Sequence, residues 1–247
     1  MIYIRSEHEV EFIKESGRIV KIILGELKHL ASPGITTEEL DKKAEELLKK
    51  FESRSAFKGY NGFPGNICTS INEEVVHGIP GRRKIFRGDI LSIDAGVEKN
   101  GYFADSAITI AIGDSVSENA YNLIKRTEEA LCIGIKKAVE GNRLFDISSS
   151  IQQYIESFGY SVVRDFVGHG IGTKLHEAPE IPNFGNMGNG PRLKKGMVLA
   201  IEPMVNEGGY EVEIGSNGWT AVTKDKKLSA HFEHTVMVTD KEARILT

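Results

Sequence analysis

The chain has 247 residues, with 31 Lys+Arg against 35 Asp+Glu for a formal net charge of −4, and is 40% hydrophobic and 27% charged. That balance can bury a core, which excludes a disordered tail, and a slightly acidic chain offers no basic field to hold nucleic acid or an anionic membrane. No apolar run approaches the roughly 20 residues of a bilayer span, no signal-peptide core is present, and two cysteines, Cys68 and Cys132, suit a reducing cytoplasmic setting better than a disulfide framework.

In chain order, Ser6 with Glu9 forms an S-x-x-E helix start ahead of a long helix over roughly residues 8–30. Gly34 separates it from a second helix, opened by Thr36 with Glu39 and striped by Leu40, Ala44, Leu47, Leu48 and Phe51, the spacing of one apolar helix face. Strands are expected at 90–95 and 102–112, joined by Asn100-Gly101, the strongest short hairpin signal. The order then repeats. Ser115 with Glu118 gives a helix start, a helix is expected over roughly 117–139, Gly141 follows, and Ile147, Ile151, Tyr154, Ile155 and Phe158 form another stripe. Phe184 to Gly196 reads as a glycine-rich loop, before strands at 197–202 and 231–238. Gly88–Asp94 and Gly196–Glu202 both run from a glycine through an apolar β-run to a carboxylate, 108 residues apart. A nearly constant offset predicts two copies of a helix–helix–strand unit. The expectation is one α+β domain over 1–247, made of related halves at roughly 5–113 and 114–247 with pseudo-twofold symmetry.

Asp94 ends the apolar strand Ile90-Leu91-Ser92-Ile93, where a buried charge is costly without a partner. If Asn100-Gly101 is the loop, facing residue numbers sum to 201. Asp105 then lies opposite Gly96, two positions from Asp94 on the same face. Taken alone, such a pair reads either as cation ligands or as an ordinary solvated sheet face. Glu202 ends Val198-Leu199-Ala200-Ile201, and Glu233 lies in His231–Val238. Four carboxylates bordering apolar strands repel one another unless protonated or bound to cations. His169 sits between glycines that allow close backbone approach, and His176 follows seven residues later across a turn at Thr173-Lys174. His77, in Val76-His77-Gly78-Ile79-Pro80, is ambiguous alone. A surface or packing reading covers cases among His8, His29, His231 and His234. Oxygen donors with one imidazole suit two divalent ions such as Mn, Fe, Co or Zn, and the lack of thiolates argues against structural zinc. Two ions about 3.5–4 Å apart could share a water of near-neutral pKa, a nucleophile that needs no serine or cysteine.

The ordered set Val-His-Gly-Ile-Pro (76–80), Asp94, Asp105, Gly-His-Gly-Ile-Gly (168–172) with His176-Glu177, Ile-Glu-Pro-Met (201–204) and Glu233-His234-Thr235 resembles the type I methionine aminopeptidases, over roughly residues 3–247. The resemblance implies the pita-bread fold, a pseudo-twofold antiparallel sheet covered by helices. It implies that Asp94 chelates one metal, that Asp105 and Glu233 bridge two, and that His169 and Glu202 complete the other, Glu202 also moving a proton. His176 would act at the scissile carbonyl or tetrahedral intermediate, and His77 near the leaving amine. Tyr60, Phe63, Cys68, Leu175 and Trp219 would line the methionine pocket, Leu175 standing where phenylalanine is often found; ordinary core is the other reading of these residues. A monovalent cation, Na or K, is implied near Asn72, Glu74 and Ser229. The implied protein is a monomeric cytoplasmic enzyme with two divalent ions (Co, Mn, Fe(II) or Zn). It would hydrolytically remove initiator methionine from nascent polypeptides when the second residue is small, with the ribosome as a partner and neither nucleic acid nor membrane. The rival readings are an Xaa-Pro peptidase, which usually carries an extra N-terminal domain, an amidinohydrolase lacking this metal set, and a binding protein that has lost the ligands.

Overall fold

The computed structural model describes residues 1–247. Helix α1 (Glu7–Leu30) opens on the Ser6 box, in which Ser6 N–H donates to the Glu9 carboxylate at 2.9 Å. Helix α2 (Thr37–Lys50) repeats the device, with Thr36 N–H donating to Glu39 at 2.8 Å. There follow β1 (Arg54–Ser55), β2 (Ile67–Ile71), β3 (Glu74–Val76), β4 (Ile90–Lys99) and β5 (Tyr102–Ala111). After α3 (Glu118–Ile135) and α4 (Leu144–Glu156) come β6 (Ser161–Val162), β7 (Gly168–Gly170), β8 (Glu177–Ile181) and β9 (Val198–Ile201). The chain closes with β10 (Met204–Asn206), β11 (Val212–Ile214), β12 (Ala221–Thr223), β13 (Ser229–His231), β14 (Glu233–Met237) and β15 (Arg244–Ile245). No helix is long and apolar enough to cross a membrane.

Three expectations about elements are corrected. The cap of α3 is Ser117, whose hydroxyl accepts from Ala120 N–H at 3.1 Å, so Ser115 with Glu118 is no capping box. Its α-helical part stops at Ile135, short of 139, because Lys137 and Ala138 donate to Gly134 and Ile135 in tighter i−3 turns. The strand expected over 231–238 is split at Phe232, whose N–H turns aside to the Pro203 carbonyl at 3.3 Å.

One antiparallel sheet organises the molecule, in the order β1-β4-β5-β14-β9-β7-β8, with β2 also on β4 and β15 on β14. The β4–β5 hairpin turns at Asn100 (φ 55°) and Gly101 (φ 80°), the two left-handed residues of a type I′ turn. That turn sets the register, and Gly96 pairs with Asp105. Leu91, Ile93, Ala95 and Val97 of β4 pack against α1 and α2. Leu199, Ile201 and Val236 pack against α3 and α4. The period of two in a strand then dictates what the opposite face carries. Asp94 and Gly96 share it with Asp105, Glu233 lies opposite Ala107, and Thr235 faces Ala200, which faces His169. Glu202, two past Ala200, is in step. The helices thus cover one face, and the acidic side chains share the other.

Gly96 lets the loop after β1 lie across that face: a Cβ there would stand 2.6 Å from the Phe57 ring and 2.9 Å from the Ala56 Cβ. Gly25, inside α1, has nothing within 4 Å of its Cβ position. In urea denaturation Gly96→Ala is expected to lose about 1–3 kcal/mol through overpacking, whereas Gly25→Ala gains about 0.5–1 kcal/mol as a helix-favouring change.

Candidate metal centre

The shared sheet face brings the acidic residues to one point. His169 Nε2 lies 3.4 Å from Asp105 Oδ2 and 3.5 Å from Glu202 Oε1. One donor atom each from Asp105, His169 and Glu233, all buried, falls within 4.8 Å of the others. Asp94 stands beside them, paired across the sheet with Ala107 and Cys68, and its Oδ1 is buried with no hydrogen-bond partner. Gly168 and Gly170 make the approach of β7 possible, since Cβ atoms there would stand 2.4 Å from the Ala200 carbonyl and 2.3 Å from the Ala178 carbonyl. Thr235 braces Asp105 from the next strand: its hydroxyl accepts from Asp105 N–H at 3.1 Å and lies 3.1 Å from the carboxylate.

Burial pushes Asp94, Glu202 and Glu233 well above the usual carboxylate range, and the neighbouring carboxylates add to the rise. Burial also lifts Asp105 to about 6. His169 is held neutral, lowered to about 4 by burial. Its Nδ1 lies 3.0 Å from the Gly170 carbonyl, which can only accept, so the proton sits there and the Nε2 lone pair faces the carboxylates. Lone pairs and carboxylates turned on one another, one oxygen without any partner, fit a divalent cation of hard or borderline character.

The turn after β7 brings His176 back beside His169, with ring centroids 4.3 Å apart and perpendicular. Its Nδ1 lies 2.7 Å from the Tyr60 hydroxyl. His77 adopts a left-handed backbone (φ 60°), and the next residue, Gly78, crosses close over β2, where a Cβ would stand 2.0 Å from the Thr69 carbonyl. Its ring meets Phe166 edge-on at 5.3 Å. Burial lowers both His77 and His176 to about 4.

Two cavities meet at the cluster. The smaller, of 200 Å³, has Tyr60, Phe63, Cys68, Leu175 and Trp219 in its walls and Asp94, Asp105 and Glu233 at its floor. Phe63 and Trp219 close part of it in an edge-to-face pair at 5.2 Å. Burial and then Asp94 push the Cys68 thiol up, so it stands as an apolar wall. The larger, of 740 Å³, shares His77, Asp94, His169, His176 and Glu202 with the first. Asn72, Glu74 and Ser229 gather elsewhere, at the β2–β3 turn. There the Asn72 carbonyl accepts from Ser229 N–H at 2.9 Å, and the Glu74 carboxylate is engaged by Ile71 N–H and Arg83, each at 2.7 Å.

From sequence, His231 has only a surface or packing reading. It is 2% exposed, lines the larger cavity, and holds Nε2 3.5 Å from Glu202 Oε2. Its spacing of two from Glu233 was the available signal, as it was for Thr235. Phe166 in the larger cavity, and Asn183, which donates to the Glu202 carbonyl at 2.9 Å, carried no local signal.

The model of metallopeptidase family M24 matches residues 11–240. A methionine aminopeptidase from Clostridium acetobutylicum is 54% identical, over 100% of this chain and 99% of that protein. The crystal structure of a methionine aminopeptidase from Thermotoga maritima superposes with a TM-score of 0.98 at 45% identity, covering 100% of this chain and 99% of that one. A prolidase from Pyrococcus furiosus gives a TM-score of 0.78 at 25% identity, with 99% of this chain matched to 65% of that one.

Carboxyl groups raised by burial bind protons more tightly in the folded chain than in the unfolded one, and a cation bound among them displaces those protons. Such groups favour the folded state below their unfolded pKa and lose that contribution as pH rises through the folded value. A bound cation reverses the loss. Calorimetry in buffers of different ionisation enthalpy is therefore expected to show protons released on Mn²⁺ binding. The gap in thermal midpoint between metal-loaded and chelated protein is expected to widen as pH rises from about 6 to 8. Binding without proton release would contradict the assignment.

Proposed function

On the premise that the chain belongs to metallopeptidase family M24 and has its pita-bread fold, we propose that it removes amino-terminal methionine from polypeptides whose second residue is small. It is a metal-dependent aminopeptidase, a hydrolase. The observation that carries this reading is the 200 Å³ apolar-walled cavity whose floor is the carboxylate cluster. A methionine side chain suits those walls, and a free α-amino group then lies against the acidic floor. The rest of the peptide runs into the larger cavity.

We assign two divalent ions to Asp94, Asp105, His169, Glu202 and Glu233; bound there, they supply Lewis acidity to a carbonyl and lower the pKa of water. The chain's own groups do the rest. Glu202, raised by burial, suits the transfer of a proton from attacking water to the leaving amine. With the Tyr60 hydroxyl donating a hydrogen bond to Nδ1, His176 carries its proton on Nε2, which then donates to the developing oxyanion. His77, neutral and partly buried, contacts the substrate near the departing nitrogen. A monovalent cation at Asn72, Glu74 and Ser229 belongs to the same reading. So do a monomeric state, a cytoplasmic location and action on nascent chains at the ribosome.

After chelation, Mn²⁺, Fe²⁺ or Co²⁺ is expected to restore methionine release from Met-Gly-Met-Met while an Ala-Pro dipeptide stays intact. Release of alanine and not methionine would favour the prolidase-like alternative. His176→Ala is expected to lower kcat by about two to four orders of magnitude with metal content unchanged.

A further inference from the structure

His176 stands on the turn between β7 and β8, its ring against that of His169 and its Nδ1 against the Tyr60 hydroxyl. Its neighbour Glu177 holds the turn from behind. Glu177 Oε1 accepts from Thr173 N–H at 2.9 Å, Thr173 Oγ1 at 3.1 Å and Lys174 N–H at 3.1 Å. The Arg5 guanidinium donates to the same oxygen at 2.6 Å. The two side chains are 6% and 4% exposed. Arg5 is itself fixed. Its N–H donates to the Gly196 carbonyl at 2.8 Å, its guanidinium reaches Glu9 in the first turn of α1 at 3.3 Å, and it lies so close to Gly172 that a Cβ there would stand 2.3 Å from Nη2. Ile2 bridges to Ala178 on the far side of Glu177. The first residues of the chain therefore run behind the turn that presents His176.

A buried carboxylate loaded with donors holds its shape when a cation compensates it, and the loss of one partner leaves an uncompensated charge that is driven toward water. Without Arg5, Glu177 is drawn outward and the 172–177 backbone loses its template. We propose that Arg5 and Glu177 form a positioning pair that sets the orientation of His176. Neither residue touches the reacting atoms; both act through the turn. This rests on the role given to His176 under the proposed function.

The test is a double-mutant cycle with Met-Gly-Met-Met as substrate. Arg5→Ala is expected to lower kcat about tenfold to a hundredfold, the scale of a small misplacement of a reacting group, with KM and Mn²⁺ affinity unchanged and part of the loss recovered in Arg5→Lys. In the His176→Ala background, Arg5→Ala is expected to cost nothing further. Losses that multiply in the double variant, or an unchanged kcat in Arg5→Ala, would overturn the proposal. If Arg5→Ala fails to fold by circular dichroism, Glu177→Gln reads the same pair. It keeps an acceptor for Thr173 and Lys174 and is expected to lower kcat selectively; an unchanged kcat there overturns the proposal equally. Normal turnover in His176→Ala alone would instead overturn the role of His176, which keeps the two failures apart.

Discussion

Four carboxyl groups, those of Asp94, Asp105, Glu202 and Glu233, are packed onto one sheet face that burial has largely stripped of water. Like charges so placed cannot all ionise without a compensating cation. Much of the fold serves to keep them there. The helices occupy the opposite face, Thr235 ties Asp105 to β14, and glycines at 168 and 170 let β7 bring His169 within reach. The strain is electrostatic and local, and the apolar contacts that offset it lie on the other side of the same strands.

The β4–β5 register was legible because an Asn-Gly loop admits one turn geometry, and that geometry fixes every facing pair above it. The starts of α1 and α2 were legible because a capping box is closed within four residues. The same local rule misjudged α3, where Ser115 and Ser117 both precede Glu118 and the cap is the serine without a glutamate three positions on. It also could not foresee the break at Phe232, which depends on Pro203, nearly thirty positions away. The roles assigned to the individual carboxylates rest on resemblance, since spacing alone cannot say which carboxylate would meet which ion. The Arg5–Glu177 contact joins residues 172 positions apart, and no local pattern announces it.

The family relationship and the chemistry of the site are separate arguments that meet. A scaffold can persist while its activity changes, and the prolidase with the same fold illustrates how far sequence can diverge around it. What narrows the reading for this chain is the apolar-walled recess beside the acidic floor, sized for one flexible side chain.

Trp219 is the chain's single tryptophan, and it stands half-buried in the wall of that recess against Phe63. Indole emission depends on local polarity and on nearby quenchers. Filling or emptying the recess changes both at one place, with no second fluorophore of its kind to dilute the signal. The molecule thus carries a built-in optical probe of its own occupancy, usable without label or coupled assay.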